Sequence, residues 1–247
     1  MESQAMAQPE KIALGEVAPD TFNWMASRYL WQTRRVSWNR YPRWMDAVTQ
    51  LVAGWQPASV VDLGCGPGYL LGRLNEILPN SRLMGVDFAQ DMLAKVPSSI
   101  PTMRSRIDDW AQSSKEHFDA AVLSFVLRDQ ADITSILRPL IRRLRPGGHL
   151  VILETHTPKG WRKWGFEAYV HRLVPWWADR SWTRDWSLDP LDAPYRWISR
   201  SHQQWEHTYP NLPRILYEAG YRKIQVHTAE SDVVMLCSGS LPDAAGG

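Results

Sequence analysis

Val60-Val61-Asp62-Leu63-Gly64-Cys65-Gly66-Pro67-Gly68 decides the fold of this chain. Two β-branched residues and a leucine favour a strand. Glycines at 64, 66 and 68 form a turn whose backbone a ligand can approach where any Cβ would collide. Tyr69 to Leu78 continues with apolar residues at helical spacing, so the turn opens a helix at the carboxyl end of a strand. Open α/β sheets bind nucleotides at that place. The pattern is D-x-G-x-G-x-G rather than the dinucleotide fingerprint G-x-G-x-x-G, whose third glycine would fall on Tyr69 or Leu71. The Lys-Ser/Thr ending of a phosphate loop is also missing, so neither nicotinamide nor a nucleoside triphosphate is expected. Leu83-Met84-Gly85-Val86-Asp87 reads as a second strand, and its terminal carboxylate has the two acceptor oxygens that a ribose diol needs.

Working outward, the chain alternates between the two periods. Strands are expected over Ser59–Leu63, Arg82–Asp87, Thr102–Ile107, Phe118–Phe125 and His149–Glu154, and helices over Tyr69–Leu78, Gln90–Lys95 and Ala131–Leu144. Arg145-Pro146-Gly147-Gly148 reads as a helix stop and turn. Such alternation specifies a parallel sheet with right-handed crossovers. Upstream, Asp20 or Thr21 can cap a helix with Trp24, Trp31 and Trp38 seven apart on one face. It packs on the sheet domain, forms a substrate lid or touches a membrane surface. Pro42 breaks that pattern before a helix over Trp44–Trp55. Downstream, Thr155–Ser201 is too long for a plain connection and reads as a functional cover, with its best helix over Trp161–Leu173. A helix over Leu212–Ala219 and strands over Lys223–His227 and Val233–Cys237 follow. The expected organisation is one domain over 19–240 with a helical cap from 19–57 and 155–210, flanked by disordered tails at 1–18 and 241–247.

Four ordered stretches carry a resemblance: VDLGCGPG, GVDFAQDML, HFDAAVLSFVLRD and LRPGGHLVILE, within residues 58 to 154. They resemble the successive motifs of class I S-adenosylmethionine-dependent methyltransferases. The resemblance implies a Rossmann-like, doubly wound, seven-stranded sheet, mostly parallel with one antiparallel edge strand, and S-adenosyl-L-methionine as cofactor. It implies a cofactor site made of Asp62, Gly64, Cys65, Gly66 and Gly68, with Asp87 on the ribose, Phe88 on the adenine face, Met92 and Ser124 beside them, and Asp108 or Asp109 with Trp110 near the adenine amino group. Ser124-Phe125-Val126-Leu127-Arg128-Asp129 and the strand ending in Leu153-Glu154 are similar to the ubiquinone/menaquinone biosynthesis C-methyltransferases in particular. That likeness extends to Phe22, Arg28 and Tyr29, and to Pro194–Ile198 and Glu218–Tyr221. It implies that Tyr29 and Arg128 manage the phenolic proton of a quinol-like acceptor, Arg128 by stabilising the aryloxide and Tyr29 through water. An ion pair of Arg128 with Asp129 is the structural alternative. The chain departs from the pattern at LGCGPG, where the family favours A-x-G-T-G-D, at Leu30, where it has an aspartate, and at Asp129, where it has an asparagine. His156, just beyond the fifth strand, is a candidate general base.

Composition bounds the rest. With 247 residues, 44% apolar and 22% charged, the chain is long enough for a proper core. A formal net charge of +2 gives no reason to expect nucleic acid. Cys65 and Cys237 are too few for a disulfide framework and suit a reducing, cytoplasmic compartment. No His, Cys or carboxylate set has metal-ligand spacing, so no metal is expected. No leader pattern and no membrane span is read. Fourteen tryptophans, eight between Trp161 and Trp205, imply a pocket for a flat apolar ligand or a surface that meets lipid headgroups. The acceptor is read as a hydrophobic aromatic small molecule, with peripheral membrane contact and a homodimer left open. N- or O-methylation of a specialised metabolite or lipid headgroup, and a cofactor-binding protein without turnover, are the alternatives.

Overall fold

The computed structural model describes residues 21–181, 199, 201–203, 205, 206, 208–229 and 233–243. Its centre is β1 (Ser59–Leu63), in which all five residues are buried, as a strand covered on both faces must be. With β2 (Arg82–Asp87), β3 (Thr102–Arg104), β4 (Phe118–Ser124), β5 (Leu144–Thr155), β6 (Arg222–Ala229) and β7 (Val234–Ser240) it forms one seven-stranded sheet in the order β3-β2-β1-β4-β5-β7-β6. β1 pairs in parallel with β2 on one side and β4 on the other, so the winding reverses at β1 and the carboxyl ends of β1 and β4 open a crevice. β7 pairs antiparallel with both β5 and β6 and lies between them, so the expected hairpin closes the sheet and the reversed strand sits one place in from the rim.

Alternation along the strands sorts the core into two layers. Val61, Leu63, Ala121, Leu123 and Ile152 pack on the side of α5 (Ile107–Ser113), α6 (Thr134–Leu140) and α9 (Leu212–Ala219). Val60, Ala120, Val122, Val151 and Leu153 pack on the side of α2 (Tyr41–Gly54) and α3 (Tyr69–Ile77). α4 (Gln90–Leu93) is a single turn after β2.

Several boundaries differ from the sequence reading. Trp24, Trp31 and Trp38 do not share one helix. A helical turn over 21–25 is broken before α1 (Tyr29–Val36), and Trp38 lies beyond α1 with φ 52°. Ser37 causes the stop: its Oγ donates to Arg34 O at 3.2 Å and accepts the Tyr41 N–H at 3.1 Å, which hands the chain to α2. Pro42 therefore starts α2, where no N–H is needed, instead of breaking a helix. α6 begins at Thr134 because Asp132 Oδ1 accepts its N–H at 2.8 Å. The turn expected at 145–148 is absorbed into β5 as an irregularity: Phe118 pairs with Leu144, and the next partner, Ala120, pairs with His149. Gly147 N–H donates to Pro242 O at 2.9 Å, and Leu241 N–H to Gly148 O at 2.8 Å. Leu241 is buried, so the chain is tied down past 240, where a terminal tail is expected. α7 (Trp161–Ala168) passes through a wider π turn over Tyr169–Leu173 into α8 (Val174–Ser181). The rest of the expected cover, 182–198, lies outside the described residues, as do residues 1–20.

At the end of β1 the glycines do different work. Gly64 has φ 77°, and a Cβ there would overlap Val126 Cγ1, so packing within the protein demands this glycine. Gly66, at φ 52°, faces open space. Gly68, also at φ 77°, is the residue from which α3 starts. Gly64→Ala is expected to destabilise the fold by about 2–4 kcal/mol, from left-handed strain plus overpacking, and Gly66→Ala by about 1 kcal/mol from strain alone. Chemical denaturation of the two variants measures the difference.

Candidate active site

The glycine turn is strapped to the end of β2. Asp87 Oδ2 accepts the Gly66 N–H at 2.9 Å and Asp87 Oδ1 accepts the Ala89 N–H at 2.9 Å. Val86 O accepts the N–H groups of Gly64 and Cys65 at 2.7 and 3.1 Å. Burial raises the Asp87 pKa, and the N–H donors of Ala89, Gly66 and Phe88 work against it. Cys65 turns its side chain inward under Gly85, and burial pushes its thiol well up, so only its backbone faces the turn's open side. Asp62 is 2% exposed, and its Oδ1 has no hydrogen-bond partner among the described residues. Burial, with a contribution from the Asp87 charge, pushes the Asp62 pKa up to about 7. The buried Ser124 Oγ at the end of β4 likewise lacks a partner among the described residues. Open backbone at Gly66, two buried oxygens and the Asp87 carboxylate thus converge at the carboxyl ends of β1, β2 and β4.

Not all the other residues expected around this turn keep an open face. Phe88 is half-buried, edge-on to Phe22 with centroids 5.5 Å apart, in a small cluster with Met25 and Ala89. Met92 is 1% exposed in that cluster and offers no open face. Trp110 is 1% exposed and packs against Phe118 at 6.0 Å in the sheet core, so it is a core residue and cannot stack on a ligand. The helical phase of α5 explains this, since its apolar positions Ile107, Trp110 and Ala111 must face the sheet. Asp109 is consequently turned to solvent, and Asp108 pairs with Arg106 at 3.2 Å.

A second space adjoins the first, a cavity of about 160 Å³ between the cap and the ends of β4 and β5. Phe22, Met25, Val36, Trp44, Phe125, Phe166, Val170 and Val233 give it apolar and aromatic walls, and Tyr29, Tyr41, Arg128, Asp129, Thr155 and His202 supply the polar groups. Phe125, at φ 58°, carries backbone strain at the turn that brings Arg128 in. Tyr41 and Trp44 lean on its ring at 6.0 and 5.9 Å. Arg128 is held by Glu154, which has no exposed surface. Glu154 Oε1 accepts the Leu127 N–H at 2.9 Å and the Arg128 N–H at 3.4 Å, and Glu154 Oε2 accepts from Arg128 Nη1 at 3.4 Å and from the Thr155 N–H at 3.2 Å. Arg128 Nε lies 3.7 Å from Asp129 Oδ1, too long for a hydrogen bond, and neither atom has a hydrogen-bond partner among the described residues. Trp44 Nε1 is also buried without one.

The electrostatics follow from burial. Desolvation opposes the charge of Arg128, but Glu154, Asp129 and Tyr29 outweigh it and hold the guanidinium protonated. Burial raises Glu154, against Arg128 and three backbone N–H donors. Asp129 is pushed up to about 7 by burial, with Arg128 pulling it down and Glu154 pushing it up. Tyr29 is pushed up to about 12 by burial, with Arg128 opposing, so it stays a neutral phenol near pH 7.

Tyr29 and Arg128 both line this cavity, whereas His156 does not join them. Thr155 lines the cavity, and His156, the next residue, lies against Tyr209 with centroids 4.7 Å apart. The histidine in the cavity wall is His202, which sequence reasoning missed because its segment has no recognisable period. Its Nδ1 lies 3.1 Å from Thr155 Oγ1 and its Nε2 3.2 Å from Thr157 Oγ1, and Thr157 in turn donates to Glu206. Burial, then Arg128, lowers its pKa to about 3, so it is a neutral imidazole.

The model of the ubiE/COQ5 methyltransferase family matches residues 11–240. The chain belongs to that family. It is therefore an S-adenosylmethionine-dependent methyltransferase. The demethylmenaquinone methyltransferase of Thermus thermophilus is 32% identical over 161 residues, 62% of this chain and 73% of that protein. The trans-aconitate 2-methyltransferase of Azoarcus sp. is 31% identical over 167 residues, 63% of this chain and 62% of that protein. A plantazolicin methyltransferase solved in complex with SAH shares the fold at a TM-score of 0.53 and 14% identity, covering 93% of this chain and 97% of that one.

Because the folded methyltransferase keeps a proton on Asp62 up to about pH 7, while the unfolded chain loses it near 3.8, the associated stability is complete below that lower value and is lost as pH rises toward 7. Asp62→Asn is expected to flatten part of the fall in melting temperature between pH 5 and 8, leaving the share that Asp129 contributes. Thermal melts of both proteins across that range check it.

Proposed function

We propose that this methyltransferase C-methylates a hydrophobic aromatic, quinol-like molecule held in the cavity under the cap. The observation that carries the reading is an arginine, 13% exposed, between the acids Asp129 and Glu154 in a cavity whose walls are mostly aromatic and aliphatic side chains. A neutral aromatic carbon is a poor nucleophile, and removing a phenolic proton supplies the electron density. Asp129, with its unpartnered Oδ1 and a pKa near 7, is suited to accept that proton at neutral pH. Arg128 is suited to hold the resulting aryloxide through its free Nε–H, and Tyr29, a neutral phenol, to hydrogen-bond rather than to act as the base. Trp44 Nε1 is a further donor for an acceptor oxygen. The ring hydrogen that the new methyl replaces leaves as a proton to water, and Asp129 returns its own proton to the aryloxide oxygen so formed, so one proton is released for each methyl transferred.

S-adenosylmethionine supplies an electrophilic methyl group when bound. Asp62 and Ser124 would take its amino-acid end, the open backbone at Gly66 would lie against it, and Asp87 would receive the ribose hydroxyls on lone pairs that Gly66 and Ala89 leave free. Phe88 would bound the nucleoside. The name of the Thermus relative supports a quinone-type acceptor. That of the Azoarcus relative points to a tricarboxylic acid, but among the described residues that line the cavity Arg128 is the one cation, and it already faces two acids. An acceptor this apolar partitions into lipid, so peripheral membrane contact is part of the reading, and two buried free thiols suit a cytoplasmic setting.

The test is turnover with methyl-labelled S-adenosylmethionine and a reduced 1,4-naphthoquinone. A label on a ring carbon is expected; a label on oxygen, or turnover confined to carboxylic acids, overturns the reading. The rate is expected to rise with pH through about 7, as Asp129 ionises, and Asp129→Asn to lose that limb and about a hundredfold in rate, with cofactor affinity kept. Asp62→Asn should weaken cofactor binding by about 1.5–3 kcal/mol, measured by calorimetry.

A further inference from the structure

All the exposed tryptophans among the described residues lie on the cap: Trp31 at 49%, Trp38 at 69%, Trp161 at 84%, Trp164 at 78% and Trp176 at 53%. They belong to one connected patch of structure. The Arg35 guanidinium lies 4.9 Å from the Trp31 ring and 5.4 Å from Trp177, which joins α1 to α8. Trp38 meets Tyr169 at 6.1 Å, and Tyr169 Oη donates to Val36 O at 2.8 Å, which joins the end of α1 to the turn between α7 and α8. Along this strip Phe166, Val170 and Val174 face the cavity, and Trp161 and Trp164 are the outward side of the same roof.

The charge on this roof is one-sided. Residues 21–45 hold five arginines and no acid, and residues 156–181 hold five Lys or Arg against Glu167 and Asp179, whereas the whole chain has 28 basic and 26 acidic residues. Glu167 is already paired with Lys163 at 3.4 Å. These two stretches together hold ten basic residues against two acidic ones, while the rest of the chain holds 18 against 24, so the positive charge is gathered where the indoles are exposed. Indoles seat at the headgroup level of a bilayer, and arginines among them are attracted to an anionic leaflet. A protein partner would match a smooth apolar face better than five separated indoles interspersed with guanidinium groups.

We propose that this outer face of the cap docks on an anionic lipid bilayer, so that the cavity beneath it receives its acceptor from the membrane. The docking rests on the reading of an apolar acceptor only for its purpose; lipid binding itself is measurable without substrate.

The full chain is to be sedimented with phosphatidylcholine vesicles, with and without 30 mol% phosphatidylglycerol, as a stated probe of an anionic leaflet. Binding to the anionic vesicles, weakened by salt and accompanied by a blue shift of tryptophan emission, is expected. The double variant Trp161→Ser/Trp164→Ser should bind at least tenfold more weakly while its melting temperature and its turnover of a water-soluble acceptor stay unchanged, and Arg162→Glu/Lys163→Glu should lose the preference for anionic vesicles. No sedimentation at low ionic strength, equal sedimentation with neutral vesicles, or binding unaffected by both double variants overturns the proposal. So does a concentration-dependent dimer in analytical ultracentrifugation that the tryptophan variants abolish, since the face would then be an interface between copies. Loss of turnover with an isolated naphthoquinol, vesicle binding intact, counts against the acceptor and not against the docking.

Discussion

A carboxylate with no exposed surface, that of Glu154, holds the reactive half of the site together. It is the penultimate residue of β5 and takes hydrogen bonds from the backbone of Leu127, Arg128 and Thr155 and from the Arg128 side chain. The 3₁₀ turn over Leu127–Asp129 thereby becomes an extension of the sheet, and the guanidinium is fixed against rigid strands rather than carried on a loop. Removing one partner of such a buried pair costs about 3–5 kcal/mol, because the other is left without its counter-charge. The strain at Phe125 is affordable only because this clamp closes the turn after it.

Asp87 does the same for the other half, by tying the glycine turn to β2. Against these two satisfied carboxylates stand Asp62 and Asp129, each buried with an oxygen that finds no partner among the described residues and each with its pKa pushed up to about 7. The contrast divides the four acids by role. Glu154 and Asp87 use their oxygens on donors that hold the two halves of the site in place, while Asp62 and Asp129 each keep a buried oxygen without a partner among the described residues.

The sheet was legible because its strands are short apolar runs punctuated by glycine turns, and because period-3.6 segments lie between them. Helix ends were less so: Ser37 and Asp132 fix them through single side-chain hydrogen bonds that a pattern of apolar positions does not register. Asp87 reaches the glycine turn, and Tyr29 and Arg128 reach the cavity wall. Trp110 and Met92 are packed in the core instead, because adjacency to a motif says nothing about which way a side chain turns, and helical phase turns both into packing. His156 was misplaced for the complementary reason, the two-residue alternation that makes Thr155 the cavity residue. Asp129 was visible as a departure from the family pattern and as a partner for Arg128, but its raised pKa depends on burial that the sequence does not register.

The central claim is that Arg128 stabilises charge as it develops on the acceptor, and is more than the partner of Glu154. Single-turnover methylation by Arg128→Lys, with the melting temperature of the same sample, tests it most directly. The account predicts a rate loss of about a hundredfold or more with cofactor affinity nearly unchanged, because lysine keeps the charge but not the planar fork that reaches both Glu154 and the cavity. Full turnover per folded molecule in a protein that merely melts earlier would contradict it.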